Sequence, residues 1–419
     1  MGRVDVSGMA RAAVSNISSP KRKVVIALNT AWNLINFRAG LIQALVAQGY
    51  EVVAVAPNDS YTPRLTELGC RFIELPMDNQ GTHPGRDALL LWRYWRLLAN
   101  ERPDVYLGYT VKPNVYGSLA AHWLNIPVVN NIAGLGSVFI RDSWLLRVVR
   151  GLYRVALARS VRVFFQNNDD RQLFIRAGLV RPEITDILPG SGVDLVRFAL
   201  DGPPTHQPNI IVTGYGSSEI FIGPALPGFV HNNEKYFRFL LIARMLWDKG
   251  IGEYVTAARL IRMRWPQVEC CLLGFLDVKN SGAISRTQMD DLVAQGVIYI
   301  GVSDDVRVEI AEADCIVLPS YYPEGTPRAL LEAAAMGKPI ITTDTVGCRE
   351  VVDDSINGYL CQARDSTDLA EKMDKMLQLT PEQRKQMGVY GRRKIEREFD
   401  EKIVIDKYLA ILDVIFSAK

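Results

Sequence analysis

The 419-residue chain is poor in the residues that most often hold metals. Its four histidines (His83, His122, His206 and His231) stand at no ligand spacing from one another or from a cysteine, so a protein-held metal site is not expected. The six cysteines include no CxxC pair, and runs such as VECCLLG and ADCIVLP place them among apolar neighbours. That pattern suits buried, reduced thiols and favours the cytoplasm over an oxidising compartment. Formal net charge is only +2, which gives no general argument for a nucleic-acid partner. No apolar run approaches the ~20 residues needed to span a bilayer. The first twenty residues lack the apolar core of a signal peptide, and residues 1–22 read as a mobile tail. The expectation is a cytoplasmic protein, free or peripheral on the inner face of the cell membrane.

What is present is an alternation of short apolar strands and helical patterns. A chain of this length exceeds the ~250–300 residues a single core usually supports, so two domains are expected. KVVIAL (23–28), YEVVAVAP (50–57), CRFIELP (70–76), PDVYLGY (103–109) and IPVVNNI (126–132) read as buried strands of a first parallel sheet. FRFLLIARM (237–245), VECCLLG (268–274), VIYIG (297–301), ADCIVLPS (313–320) and KPIITTD (338–344) repeat the grammar, with helices over 250–264, 327–336 and 367–378. The fold class is α/β: two Rossmann-like domains, 23–190 and 191–400, facing across a cleft. LPGSGVDLVRF (188–198) is the candidate hinge. Residues 203–235 form an inserted loop or hairpin, and 401–419 a helix that packs back toward the first domain. In such sheets ligands bind beyond the carboxyl ends of the strands.

Two motifs sit there. In RMLWDKG, Arg244 ends a strand and Lys249 begins the next helix, so two cations five residues apart can serve a developing negative charge without a metal. Alone, a solvated surface pair explains them as well. In YPEGTPRALLE (322–332), Glu324 and Glu332 stand eight apart. Thr326 suits a helix N-cap and Pro327 the first helical position. Glu324 then lies in the loop before the helix and Glu332 about two turns along it. Free N–H groups after Gly325 would face a phosphate, Glu332 could accept from ribose hydroxyls, and Glu324 could read a sugar. The bland reading is a capped helix with two surface acids.

With these motifs, the segments GVSDD (301–305), ADCIVLPS (313–320), GKPIIT (337–342) and EVVDDSINGY (350–359) complete a pattern that resembles retaining glycosyltransferases of family 4, which have the GT-B fold. The resemblance covers about 237–360. It implies that Arg244 and Lys249 hold the diphosphate of a nucleotide-sugar donor. It implies that Glu324 contacts the sugar, beside Gly325, Thr326 and Pro327, that Glu332 contacts the ribose, and that Val302 and Ser303 lie near the base. Arg244, Lys249 and Glu324 would be the catalytic group, with no metal and no other cofactor. In the N-terminal half, NFR (36–38), TVKPNVYG (110–117) and GLGSVF (134–139) resemble the bacterial branch that extends undecaprenyl-diphosphate-linked sugars in capsule, O-antigen and N-glycan assembly. Two departures stand out. The loop after the first strand, NTAWNLIN (29–36), has no glycine. Ala133 stands where many members carry a histidine, so no histidine acts at that point.

Asn36, Arg38 and Lys112 are the candidate ligands for an acceptor diphosphate. Arg38 reads as the start of a helix and Lys112 as the residue after a strand; the alternative is a pair of surface charges. Arg86, Arg93 and Arg96 share a helical flank with Trp92 and Trp95. The stretch 138–162 has six arginines against one acid, with Arg147, Arg150 and Arg154 on one face. Basic amphipathic helices with tryptophan suit an anionic bilayer surface, although helices packed on the sheet with solvated arginines account for the same pattern. The favoured expectation is transfer of a sugar, an N-acetylhexosamine by analogy with the branch, from a UDP-sugar to a polyprenyl-diphosphate-linked sugar. The alternatives are a soluble acceptor, or a non-catalytic nucleotide-sugar-binding module.

Overall fold

A computed structural model of the protein describes residues 21–78, 83–134, 144–200, 236–276, 278, 280, 282–322 and 324–417. The first twenty residues, the 203–235 insertion and most of the 134–139 segment lie outside the described residues.

The first half builds a seven-stranded sheet in the order β3-β2-β1-β4-β5-β6-β7, with every pair parallel. The strands are β1 (Lys23–Ala27), β2 (Glu51–Ala56), β3 (Arg71–Glu74), β4 (Val105–Tyr109), β5 (Val128–Ile132), β6 (Arg162–Phe165) and β7 (Thr185–Ile187). Between them run α1 (Ala31–Ala47), α2 (Thr62–Glu67), α3 (Pro84–Glu101), α4 (Ser118–Trp123), α5 (Trp144–Leu157) and α6 (Asn168–Arg176). The strands are near-continuous apolar runs because both faces are covered: Val24 and Ile26 belong to one core layer, Val25 and Ala27 to the other.

The second half builds a six-stranded parallel sheet, β10-β9-β8-β11-β12-β13. Its strands are β8 (Phe237–Ile242), β9 (Val268–Leu273), β10 (Ile298–Gly301), β11 (Cys315–Leu318), β12 (Ile340–Thr343) and β13 (Gly358–Cys361). Its helices are α7 (Ile251–Arg264), α8 (Arg286–Ala294), α9 (Val306–Glu312), α10 (Arg328–Ala335), α11 (Ser366–Gln378) and α12 (Pro381–Glu398). The last helix, α13 (Glu401–Ser417), leaves this domain. Val404, Tyr408, Ile411, Leu412, Ile415 and Phe416 are buried in the core of the first sheet. The Tyr408 ring lies 5.1 Å from Phe164 and 6.0 Å from Tyr109. Lys407 adds charge-assisted bonds to Asp186 at 3.1 Å and to the Ile187 carbonyl at 2.7 Å. Among the described residues no helix is long and apolar enough to cross a membrane, and all six cysteines are buried and unpaired.

The structure corrects two expectations about helices. α1 begins at Ala31, where the Thr30 hydroxyl accepts the Asn33 N–H at 3.0 Å. Arg38 is therefore in the middle of that helix rather than at its start. The arginine face of α5 is not free either. Arg154 donates to the carbonyls of Gly178 and Ala177, capping the end of α6. Arg150 is half-buried with an unpaired Nε, and only Arg147 of the three is exposed without a bond among the described residues.

Candidate active site

The carboxyl edges of the two sheets face each other. Trp32, at the start of α1, meets Phe275, just past β9, with ring centroids 6.2 Å apart. The Arg328 guanidinium lies 5.6 Å over the Phe37 ring. Asp169 of α6 pairs with Arg349 of the second domain at 2.8 Å. The residues after β6 touch the loop before α10. The strand ends of both halves therefore line one cleft, where ligands of such sheets bind.

At its centre, on the second domain, Lys249 and Glu324 form a direct ion pair, both side chains largely withdrawn from solvent. Lys249 closes a 3-10 turn, Trp247–Lys249, and α7 starts only at Ile251, so this lysine precedes the helix instead of beginning it. Gly250, with φ of 76°, makes the turn possible: a Cβ there would collide with the Pro319 carbonyl at the end of β11. Glu324 also accepts from the Ser320 hydroxyl at 2.8 Å. Tyr322 offers its ring face to the Lys249 ammonium at 5.5 Å. Two segments 75 residues apart in sequence thus bring a cation and a carboxylate to one point. Arg244 is exposed near the end of β8, and its side chain has no ion-pair partner among the described residues.

The loop after Glu324 departs from the expected capping. α10 begins at Arg328, Pro327 is its cap residue, and the Thr326 hydroxyl is buried without a partner. Proline at that position supplies no side-chain acceptor, and the Thr326 N–H goes to Gln166 of the first domain instead. With the helix starting later, Glu332 stands in its second turn, five residues in. It is paired with Arg328 at 2.8 Å, and burial raises its carboxyl above the usual range. Val302 and Ser303 follow β10 and are half-buried at the same edge.

On the first domain the three predicted residues separate. Asn36 donates to the Trp32 carbonyl within α1. Arg38 is buried, stacked 4.4 Å over the Tyr109 ring, with Nη1 on the Phe37 carbonyl and Nε unpaired. Lys112 pairs with Asp87 of α3 at 2.9 Å and lines a cavity of about 410 Å³ with Arg86, Arg93, Asp78 and Leu89. Sequence reasoning missed Gln166, Asn167 and Ser320. The first two follow β6, whose RVFF run opens on a charge and does not read as a strand, and Ser320 ends a segment that reads as a strand and as part of the family pattern but is given no role of its own. Among the described residues no group of histidines, cysteines and carboxylates could hold a metal ion.

The C-terminal half matches the family described as glycosyl transferases group 1 over residues 227–394, and the N-terminal half the glycosyl transferase 4-like domain over 36–190. A Campylobacter jejuni protein named N,N'-diacetylbacillosaminyl-diphospho-undecaprenol alpha-1,3-N-acetylgalactosaminyltransferase is 27% identical over 386 residues, 91% of this chain and 96% of that one. An Escherichia coli UDP-Gal:alpha-D-GlcNAc-diphosphoundecaprenol alpha-1,3-galactosyltransferase is 24% identical over 67% of this chain and 68% of its own. Among solved structures, HepE of Anabaena in complex with UDP and glucose superposes with a TM-score of 0.72 at 17% identity, covering 94% of this chain and all of that one. A Rickettsia africae glycosyltransferase gives 0.72 at 16% identity over 96% of this chain and all of its own.

Proposed function

Since the chain belongs to the glycosyltransferases, a 4-like domain followed by a group 1 domain on the GT-B fold, we propose that it moves a sugar from a UDP-sugar to a polyprenyl-diphosphate-linked sugar, with retention at the anomeric carbon. The observation that carries the donor half is the buried Lys249–Glu324 pair at the cleft. A donor diphosphate would take up Lys249 together with exposed Arg244, and Glu324 would turn to the sugar hydroxyls. Gly325, Thr326 and Pro327 would border the sugar and phosphates, Glu332 the ribose, and Val302 and Ser303 the base. As the bond from the anomeric carbon to the diphosphate breaks, charge accumulates on the leaving oxygens beside the two cations. The acceptor oxygen bonds to that carbon and its proton passes to the leaving phosphate. Positioning and electrostatics supply most of the acceleration, and no side-chain nucleophile is needed.

The acceptor half is supported by the cavity that holds Lys112. Three cations, Arg86, Arg93 and Lys112, line it against two carboxylates, Asp78 and Asp87, leaving one net positive charge for a diphosphate. Arg38, whose buried Nε lacks a partner, and Asn36 would contribute from α1. Leu89, Trp92 and Trp95 are exposed on α3. Trp123, on the neighbouring α4, is 73% exposed. Such a surface suits the interface of an anionic bilayer on the cytoplasmic side, where the lipid tail of the acceptor stays. A thermal-shift screen of UDP, GDP and their sugars tests the donor assignment: UDP and one UDP-sugar should raise the melting temperature. Stabilisation by GDP alone would overturn it.

A further inference from the structure

Two residues of the first domain, Gln166 and Asn167, hold the backbone of Glu324–Thr326 from across the cleft, and the donor contacts above do not use them. Gln166, the residue after β6, is buried, and its Oε1 accepts the Thr326 N–H at 3.3 Å. Asn167 Nδ2 lies 3.5 Å from the Glu324 carbonyl oxygen. A Cβ on Gly325 would collide with Gln166 Oε1 and with the Ala133 carbonyl, so only glycine lets the two domains approach this closely. The hydrogen bond also orients the Gln166 amide, because an N–H can be accepted only by its oxygen. Asn167 is anchored in turn. It caps α6 by accepting the Asp170 N–H at 2.7 Å, and its Nδ2 reaches the Asp170 carboxylate at 3.0 Å.

We propose that Gln166 is a positioning residue for sugar transfer. Its side-chain oxygen fixes the Glu324–Thr326 loop when the domains are closed, so the carboxylate meant for the sugar is aligned only then. The inference rests on the reading of Glu324 as that carboxylate. The Lys249–Glu324 pair lies wholly within the second domain and survives opening. The Thr326 N–H instead loses its partner to water when the cleft opens. Nucleotide binding and turnover are therefore separable at Gln166: the first belongs to one domain, the second to the contact between two.

The test compares Gln166→Met, which keeps length and bulk without a strong acceptor, with Gln166→Glu, which keeps an oxygen. Transfer is measured together with acceptor-independent hydrolysis of the UDP-sugar, so the result does not hang on the acceptor. Gln166→Met should lower kcat for both roughly tenfold or more, the cost of leaving a buried N–H unpaired. Its UDP Kd by calorimetry should stay close to wild type, and Gln166→Glu should regain most of kcat. An unchanged kcat in Gln166→Met overturns the inference. So does a parallel loss of UDP affinity in both variants, and so does a Glu variant as impaired as the Met one. If Gln166→Met does not fold, Gln166→Ala serves instead: it removes the acceptor without touching the donor loop's own residues, so kcat should fall with UDP affinity kept, and an unchanged kcat is again fatal. Glu324→Gln as a control separates the two levels. If it is as active as wild type, the donor-loop reading falls and takes this inference with it. If it is impaired while Gln166→Met is not, the inference falls alone.

Discussion

Removing the Lys249 ammonium should cost both stability and rate, and the structure sets the size of each. The Lys249 side chain is 10% exposed and that of Glu324 14%, so the lost partner leaves a carboxylate largely out of water with, among the described residues, the Ser320 hydroxyl as its remaining hydrogen-bond donor. Breaking one side of such a pair costs on the order of 3–5 kcal/mol. Lys249→Met should therefore lose about 3 kcal/mol in denaturant unfolding at pH 7. Lys249→Met/Glu324→Gln, which removes both charges, should be more stable than the lysine variant alone, since neighbouring effects do not add. Turnover should drop by ~10²-fold in both, because the leaving group loses its fixed cation either way. A double variant whose loss equals the sum of the singles would refute the pairing argument. Turnover within about twofold of wild type in a folded Lys249→Met protein would remove Lys249 from the mechanism.

Glu324→Gln should hurt sugar transfer while UDP binds at least as tightly as to wild type, since the ammonium no longer has a competing carboxylate; a tenfold weaker UDP in calorimetry would reverse the assignment. Glu332→Gln should weaken UDP itself by roughly tenfold, the worth of about one charged hydrogen bond; unchanged UDP affinity would take Glu332 off the ribose. Burial raises the Asp170 carboxyl to about 6. The folded state therefore binds an extra proton between about pH 4 and 6, and the stability it contributes falls as pH rises through that window. Asp170→Asn should be the more stable protein at pH 7.5, by up to about 3 kcal/mol, with the difference gone below pH 4. A variant less stable than wild type at pH 7.5 in thermal unfolding would contradict this. Wild type should co-sediment with anionic vesicles at low salt and release as salt rises; Trp92→Ser/Trp123→Ser should bind less, and a wild type that stays in the supernatant removes the membrane proposal.

The parallel sheets were legible because strands covered on both faces are unbroken apolar runs, as in VVIA and CIVL. β6, β7 and β13 were missed: RVFF opens on a charge, GYLC on a glycine, and TDI has a single apolar residue, so none stands out as an unbroken apolar run. Lys249 and Glu324 could be named from their motifs, but not as partners, because their meeting depends on β8 and β11 lying side by side. Arg38 read as a helix start because the polar residues ahead of it hid the Thr30 cap. The Thr326 cap was misjudged for a different reason. Local propensity favoured its hydroxyl, but α10 begins at Arg328 behind Pro327, so the Thr326 hydroxyl does not cap the helix and is left without a partner. The basic face over Arg147, Arg150 and Arg154 had correct periodicity, yet periodicity does not tell which arginines a neighbouring helix end will use.

The most direct measurement is transfer from a radiolabelled UDP-N-acetylhexosamine or UDP-hexose to a polyprenyl-diphosphate-linked monosaccharide, with extraction of the lipid product and analysis of the new anomeric centre. The account predicts labelled lipid formed in step with UDP release, an anomeric configuration equal to that of the donor, and loss of product with Lys249→Ala. UDP release with the label in water-soluble product, or an inverted centre, would contradict it.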